Sequence, residues 1–166
     1  VRLGVWEGGV YVGCVVFGWG ANRNMAGSVG LQRTECAELT RVALTKHQTP
    51  VSRIIAIAVR LLKKQSPGVR ALISYADPNR GHHGGIYQAG GWIHTGVSQP
   101  NESYSVNGKT LHKRTYTGTN FGQPAKHLPP GAVKFMPIPK YRYVLPLDPA
   151  MRAQIAPEPH QSAGKG

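Results

Sequence analysis

The stretch PVSRIIAIAVRLLKKQSPGVRALISY, residues 50–75, decides the fold because a helical pattern gives way within it to a strand pattern. Its apolar residues first recur at helical spacing, and most of its basic residues fall outside that stripe. Thr49 is predicted as the N-cap with Pro50 at the first helical position, and residues 66–68 end the helix. The run 69–75 is continuously apolar, which is typical of a strand buried on both faces.

The segments before this stretch predict three strands. Residues 2–7 and 10–19 flank a Gly-Gly pair, a combination typical of a β-hairpin. Residues 34–44 alternate as a third strand, which would place Glu38 on one face and Arg41 on the other unless a bulge intervenes.

The segments after it predict further sheet and one long loop. We expect a short helix around 83–91, strands at 92–97 and 141–147, a hairpin at 104–111, a basic loop at 112–140 and a disordered tail at 156–166. The pattern therefore predicts an α+β fold with a mixed α/β sheet, in a single domain over residues 1–155.

The charge is strongly positive. Twenty Lys and Arg residues against seven Asp and Glu give a net charge of +13. Such an excess costs self-repulsion unless a polyanion neutralises it, so nucleic acid is the first partner to consider. A basic protein without a polyanionic ligand remains the alternative.

The cysteines and the hydropathy indicate a reducing compartment. Cys14 and Cys36 lie in apolar, strand-like segments, which favours buried, reduced thiols over a disulfide or a zinc site. No signal peptide is visible, and no apolar run reaches the roughly 18 residues that span a membrane. These features favour a cytoplasmic protein with no membrane partner.

The segment YADPNRGHHGGIYQAGGW, residues 75–92, carries the candidate chemistry. Asp77 follows the buried strand, where open sheets bind ligands. Tyr87 lies on the next short helix and is expected to face the same crevice. A carboxylate and a phenol in one cleft suit proton transfer. The alternative is that Asp77 only caps the next helix and Tyr87 is a core aromatic residue.

Two other features point to ligands less specifically. The adjacent pair His82-His83 lacks the further ligands that a metal ion needs, so no metal site is predicted. Ser52 and Arg53 open the long helix, whose free N–H groups could receive an anionic group. The alternative for Arg53 is a solvated basic face.

Three stretches together, FGWGANRN, ECAELTRVAL and SYADPNRGHHGGIYQAGGWIHTG, resemble the phage Mom family of DNA-adenine modification proteins, which in turn resembles the GNAT acyltransferase fold. The resemblance covers roughly residues 1–97, and the later VNGK and YRYVLPLD segments are also similar. It implies a GNAT-like fold whose first strand and helix, with a His-Tyr pair, precede the segment seen here.

The resemblance also implies an activity and its residues. Mom proteins convert adenine in the phage's own duplex DNA to an N6-acetamido (carbamoylmethyl) form, which shields it from host restriction. Asp77 and Tyr87 match the family's active site, Arg41 is a further match, and Ser52 and Arg53 match cofactor-binding positions. The segment HQTPVSR stands where GNAT enzymes grip the pyrophosphate of coenzyme A, so the cofactor stays open, with acyl-CoA as one candidate.

We therefore expect a transferase acting on double-stranded DNA. Asp77 would accept the proton of adenine N6, Tyr87 would position or protonate the donor, and Arg41 would hold a negative group of the donor or DNA. The target base would be flipped out, with Tyr116 or Phe121 filling the space. The predicted DNA contacts are Tyr75, His82, Gln88, Lys109, Lys113, Arg114 and Lys126, with Lys134, Lys140 and Arg142 as further phosphate contacts. Two alternatives remain: a GNAT-like N-acyltransferase acting on a small amine or protein lysine, and a non-catalytic basic DNA-binding module.

Overall fold

The computed structural model describes residues 1–20, 22–99, 102–112 and 128–159. These residues form a six-stranded mixed sheet, a three-stranded antiparallel sheet and three α-helices, which confirms the predicted α+β class. The strands are β1 Arg2–Glu7, β2 Val10–Gly18, β3 Cys36–Leu44, β4 Ala71–Ala76, β5 Ile93–Val97, β6 Ser103–Val106, β7 Lys109–His112, β8 Val133–Phe135 and β9 Tyr141–Pro146; the helices are α1 Val51–Gln65, α2 Gly85–Ala89 and α3 Pro149–Gln154.

The larger sheet has the strand order β1-β2-β3-β4-β9-β5. The crossover through α1 makes β3 parallel to β4, whereas the other neighbours in this sheet are antiparallel. The parallel ladder runs only from the Cys36–Ala71 pair to the Glu38–Ile73 pair. Beyond Glu38 the two strands are no longer paired, which leaves a gap at the carboxyl end of β4.

Two hydrophobic cores cover the two faces of the sheet. The helix face, under α1 and α2, contains Leu39, Leu62, Leu72 and Tyr143 among its buried residues. The opposite face is covered by the loop around Met25 and by α3, and its buried residues include Met25, Cys36, Ile73, Val144 and Met151. Burial of this apolar surface on both sides explains why β4 reads as a continuous apolar run.

The thiols are free, as predicted. Cys36 is buried, and this burial raises its pKa to about 11. Cys14 is only half-buried.

A β-bulge changes which side chains of β3 face each core. Val16 and Phe17 are consecutive in β2, but their partners Arg41 and Leu39 are not, so Thr40 is the extra residue. The Thr40 hydroxyl donates to the Val16 carbonyl, 3.0 Å away, which fixes the bulge.

The bulge brings Glu38 and Arg41 to one face. Val42 and Leu44 pack against the same core as Leu39, which an uninterrupted strand would not allow. Glu38 and Arg41 therefore both project from the opposite face. The sequence predicts opposite faces unless a bulge intervenes, and Thr40, the additional residue of the strand, is that exception.

The ends of several elements also differ from the predictions. Pro50, rather than Thr49, is the N-cap of α1, and it provides no side-chain cap. The predicted loop 112–140 contains the strand β8, and α3 was not predicted. In the segment predicted as a tail, the Glu158 amide donates to the His94 carbonyl. Among the described residues, no helix combines the length and apolar character needed to cross a bilayer.

Candidate functional site

Five polar side chains gather on the opposite face at the carboxyl end of β4. We call Glu38, Tyr75, Asp77, Lys140 and Arg142 the rim cluster. Tyr75 pairs across the ladder with Arg142, and the Lys140 ammonium lies 3.3 Å from the Asp77 carboxylate. This edge lies where β3 and β4 separate after the Glu38–Ile73 pair, next to the incoming chain of β9, which is why residues distant in sequence converge here.

Asp77 is held by two partners. Its carboxylate accepts hydrogen bonds from the backbone and side-chain amides of Asn79, at 3.1 and 2.9 Å, and pairs with Lys140. Partial desolvation raises the pKa of Asp77, but the bonds from Asn79 and Lys140 outweigh it and lower the pKa below its ordinary value. Asp77 is therefore ionised at neutral pH. It also caps the short helix Pro78–Arg80, as the alternative to a catalytic role predicts.

Asn79 also fastens the chain that leads into β9. Its side-chain amide donates to the Ile138 carbonyl at 2.9 Å, and its carbonyl oxygen accepts from the Ile138 amide at 3.1 Å. These bonds position Lys140, two residues later, against Asp77.

Glu38 is the second carboxylate of the rim cluster. Burial raises its pKa above the ordinary value, and nearby Lys140 offsets only part of this effect. Burial also raises the pKa of the Tyr75 phenol, and the Glu38 carboxylate adds to this shift while Arg142 opposes it. The two acidic groups of the cluster thus differ in proton affinity, Asp77 being the stronger acid.

Arg142 has a fixed orientation. Its guanidinium donates to the Thr95 hydroxyl at 2.9 Å and to the Thr95 carbonyl at 2.8 Å. Both residues line a cavity of about 240 Å³, together with Gln154 and Glu158. A fixed guanidinium beside a cavity is suited to holding an anionic group.

Tyr87 lies on the other side of the sheet. Its ring is buried, stacks on Tyr143 at 5.1 Å between ring centroids, and contacts Trp92. Its hydroxyl is hydrogen-bonded to the Ser74 hydroxyl at 2.8 Å, and Ser74 donates to the Leu39 carbonyl at 3.1 Å. Burial raises the pKa of Tyr87.

The prediction that Asp77 and Tyr87 share one cleft is therefore wrong. Successive side chains of a strand point to opposite faces, so Tyr75 and Asp77 share one face and Ser74 the other. Tyr87 bonds to Ser74 and packs in the helix-face core, with its hydroxyl at the gap between β3 and β4.

A model described as the Mom protein family matches residues 1–163 of the chain. The chain belongs to the Mom protein family. Membership in the Mom family implies an enzyme that modifies DNA, with DNA as its substrate. No curated protein sequence matches the chain.

Three predicted site residues within the Mom-family match, Arg41, Ser52 and Arg53, lie on different faces of the sheet. Arg41 is exposed on the face that carries the rim cluster. Ser52 is half-buried and Arg53 exposed at the first turn of α1, which begins after β3 ends. They lie at the same end of the sheet as the rim cluster, but on the helix face.

The glycine-rich segment of this Mom-family chain is a packed turn. His82 and Gln88 are exposed, and the Gln88 side-chain amide donates to the Tyr143 hydroxyl at 3.2 Å. Gly84 is buried directly against the Tyr143 ring with a φ of +81°. Among the described residues no group of three or more His, Cys, Asp and Glu side chains is arranged to hold a metal ion.

The predicted phosphate contacts are only partly described. Lys109 is exposed on β7, and Lys134 on β8 pairs with Glu102. Lys140 and Arg142 belong to the rim cluster. The remaining predicted contacts lie outside the described residues: Lys113, Arg114, Tyr116, Phe121 and Lys126.

Proposed function

We propose that this Mom-family chain transfers a carbamoylmethyl group to N6 of adenine in duplex DNA. The product is the N6-acetamido form, which protects phage DNA from host restriction in the host cytoplasm. The observation that carries the proposal is the rim cluster, where two carboxylates of different acidity stand beside two cations at one edge of the sheet.

The chemistry requires such a cluster. The lone pair of adenine N6 is delocalised into the ring, so the enzyme must press N6 against an activated carbon and remove a proton as the bond forms. Asp77 is ionised and holds Lys140 in place. Arg142 and the exposed Arg41 are positioned on the same face to hold a negative group of the donor or of the DNA.

Tyr87 acts as a positioning residue in this proposal. Through Ser74 its hydroxyl holds the Leu39 carbonyl at the point where β3 and β4 separate. Leu39 directly follows Glu38, so the bond fixes the strand that carries this carboxylate. Ser52 and Arg53, at the same end of the sheet, would bind the donor from the helix face. The chemical identity of the donor is left open, with acyl-CoA one candidate.

The charge supplies the affinity for DNA. A net charge of +13 suits contacts to several phosphates, with exposed residues such as Lys109 taking part and Lys113, Arg114 and Lys126 as further predicted contacts. Adenine N6 is not accessible to the rim cluster inside the base stack, so the base is flipped out at a cost of about a few kcal/mol. Tyr75, in the rim cluster, is the candidate contact to the flipped base, and the exposed His82 and Gln88 are candidate contacts to the rest of the DNA.

Mass spectrometry of nucleosides from cells expressing the chain tests the proposal. Adenine nucleosides should gain the mass of one carbamoylmethyl group. Unchanged adenine with retained DNA binding would instead favour a non-catalytic DNA-binding module. Unchanged DNA with an acylated small amine or lysine would favour an N-acyltransferase.

A further inference from the structure

Within the described part of the chain, Glu38 differs from most acidic residues in having no fixed partner. Among the described residues, its carboxylate makes no hydrogen bond and no ion pair, although cations outnumber acids by 20 to 7 in the sequence. Five of the seven acidic side chains are engaged: Glu7 by the amides of Gln48 and Thr49, Glu35 and Asp148 by Arg70, Asp77 by Lys140 and Asn79, and Glu102 by Lys134. A half-buried carboxylate without a partner costs stability, which is the expected cost of a group placed for chemistry rather than for folding.

The carboxylate of the half-buried Glu38 packs directly against glycine. The chain beside it carries glycine where a side chain would block it: a Cβ atom built on Gly20 would lie 2.2 Å from a carboxylate oxygen of Glu38, and Gly18 is its cross-strand neighbour in β2. Gly20 has a φ of +68°, a backbone conformation that itself favours glycine. The carboxylate thus occupies the room that a side chain at position 20 would fill, and Glu38 keeps part of its surface exposed.

Charged and titratable groups surround the Glu38 carboxylate on three strands, β3, β4 and β9. Cys36 and Arg41 lie on the same face of β3, and Tyr75 projects from β4. Lys140 and Arg142 come from β9 and the residues before it, and Asp77 follows β4. Lys140 is therefore placed between two carboxylates, held by Asp77 and attracted to Glu38.

We propose that Glu38 is the catalytic base of adenine modification, which rests on the function proposed above. The donor is an acetamide derivative with a leaving group on its methyl carbon. As N6 attacks, the N6–C bond forms and the bond from that carbon to the leaving group breaks, the leaving group departing with its electron pair. The proton of N6 passes to the Glu38 carboxylate. Lys140, fixed by Asp77, stabilises the negative charge that the leaving group carries away at this edge of the sheet.

Glu38 suits this task better than Asp77. A general base is most effective when its proton affinity lies near the working pH. Burial moves the pKa of Glu38 in that direction, whereas the partners of Asp77 move its pKa away from it. Asp77 is thus a positioning residue for Lys140, and Glu38 is the group that touches the reacting amine.

Three substitutions at two neighbouring carboxylates test the assignment. Glu38→Gln should lower the modified fraction of adenine about a hundredfold or more in cells, the range expected for loss of a general base, and leave the Kd for duplex DNA within threefold. Glu38→Asp should keep a measurable part of the activity. The control Glu35→Gln loses the ion pair with Arg70, 3.8 Å away, but keeps a side-chain oxygen that can accept from the Gln32 amide, and should modify DNA like the wild type.

The outcomes separate this inference from the proposed function. If the wild type modifies adenine and Glu38→Gln does so equally well, Glu38 is not the base. If the wild type leaves adenine unchanged, the proposed function fails instead. If the Glu38→Gln and Glu35→Gln variants lose activity equally, the loss is not specific to the base and the assignment is overturned.

Stability provides a readout that does not depend on activity. The pKa of Glu38 is raised in the folded state, so the protonated side chain favours folding. This contribution to the stability of the fold is complete below the pKa of the unfolded state and is lost as pH rises through the pKa of the folded state. Glu38→Gln should therefore raise Tm at pH 7 to 8, with the gain disappearing near pH 4. A lower Tm at pH 7 would show that the carboxylate has a stabilising partner and would overturn the proposal.

Discussion

Two adjacent glycines in the segment GHHGG test whether this segment is a packed support. Gly84 adopts a φ of +81°, and a Cβ atom there would lie 2.1 Å from the Tyr143 hydroxyl oxygen and 2.4 Å from two atoms of its ring. A Cβ atom on Gly85 would have no neighbour within 4 Å. Alanine should therefore be harmful at one position and harmless at the next.

The magnitude follows from the two costs at Gly84. Overpacking a core costs about 1–3 kcal/mol, and a left-handed conformation costs a residue with a side chain about 1–2 kcal/mol. Gly84→Ala should therefore destabilise the fold by about 2–5 kcal/mol, or lower Tm by about 4–20 °C for a domain of this size. Gly85→Ala at the start of α2 should raise stability by about 0.4–1 kcal/mol.

Thermal unfolding of both variants beside the wild type makes the comparison, with near-ultraviolet circular dichroism reporting the packing of Tyr143. The order of Tm values should be Gly85→Ala, wild type, Gly84→Ala. Equal Tm values for the two variants would mean that the segment does not pack on Tyr143, and the positions assigned to α2 and Tyr87 would then be wrong.

Three further predictions concern the site and the DNA. Tyr87→Phe removes the hydrogen bond to Ser74 and should lower the free energy of unfolding by about 1 kcal/mol, while DNA modification falls about tenfold or more and DNA binding is unchanged. Tyr11→Phe, at an exposed tyrosine, is the control. Full activity of Tyr87→Phe with the same loss of stability would make Tyr87 purely structural. Asp77→Asn keeps a side chain that can cap the helix, but frees Lys140, so modification should be lost and the Kd for DNA kept; a parallel loss of binding would assign Asp77 to DNA contact. Filter binding across salt concentrations should give a slope of log K against log salt of about −5, for roughly six neutralised phosphates, and a flat response would remove DNA as the ligand.

Much of the fold is encoded in local patterns. The helical stripe of α1, the apolar run of β4 and the glycine turn between β1 and β2 each depend on nearby residues, and the structure confirms them. The hairpin around Asn107-Gly108 is also present, with positive φ at both residues, because few other residues adopt that turn.

The site was less predictable because it depends on long-range register. One additional residue in β3, Thr40, shifts the alternation of the side chains that follow it, so that Glu38 and Arg41 project from the same face. No local signal in the sequence marks this residue. Likewise, spacing alone placed Asp77 and Tyr87 near each other along the chain. Which face of the sheet α2 covers, and therefore which face Tyr87 joins, is decided by packing against Tyr143.

The position of β9 was also beyond sequence reasoning. It enters the sheet between β4 and β5 although it follows β8 in the chain, and it brings Lys140 and Arg142 to the rim cluster. From the sequence these two cations are predicted to contact DNA phosphates, because they belong to a basic segment.

The most direct test compares nucleosides from DNA of cells expressing the wild type with those from cells expressing equal amounts of Glu38→Gln. We expect adenine carrying one carbamoylmethyl group in the first sample and nearly none in the second. Unmodified adenine in both samples, or equal modification in both, would contradict the account that places adenine chemistry at the rim of this sheet.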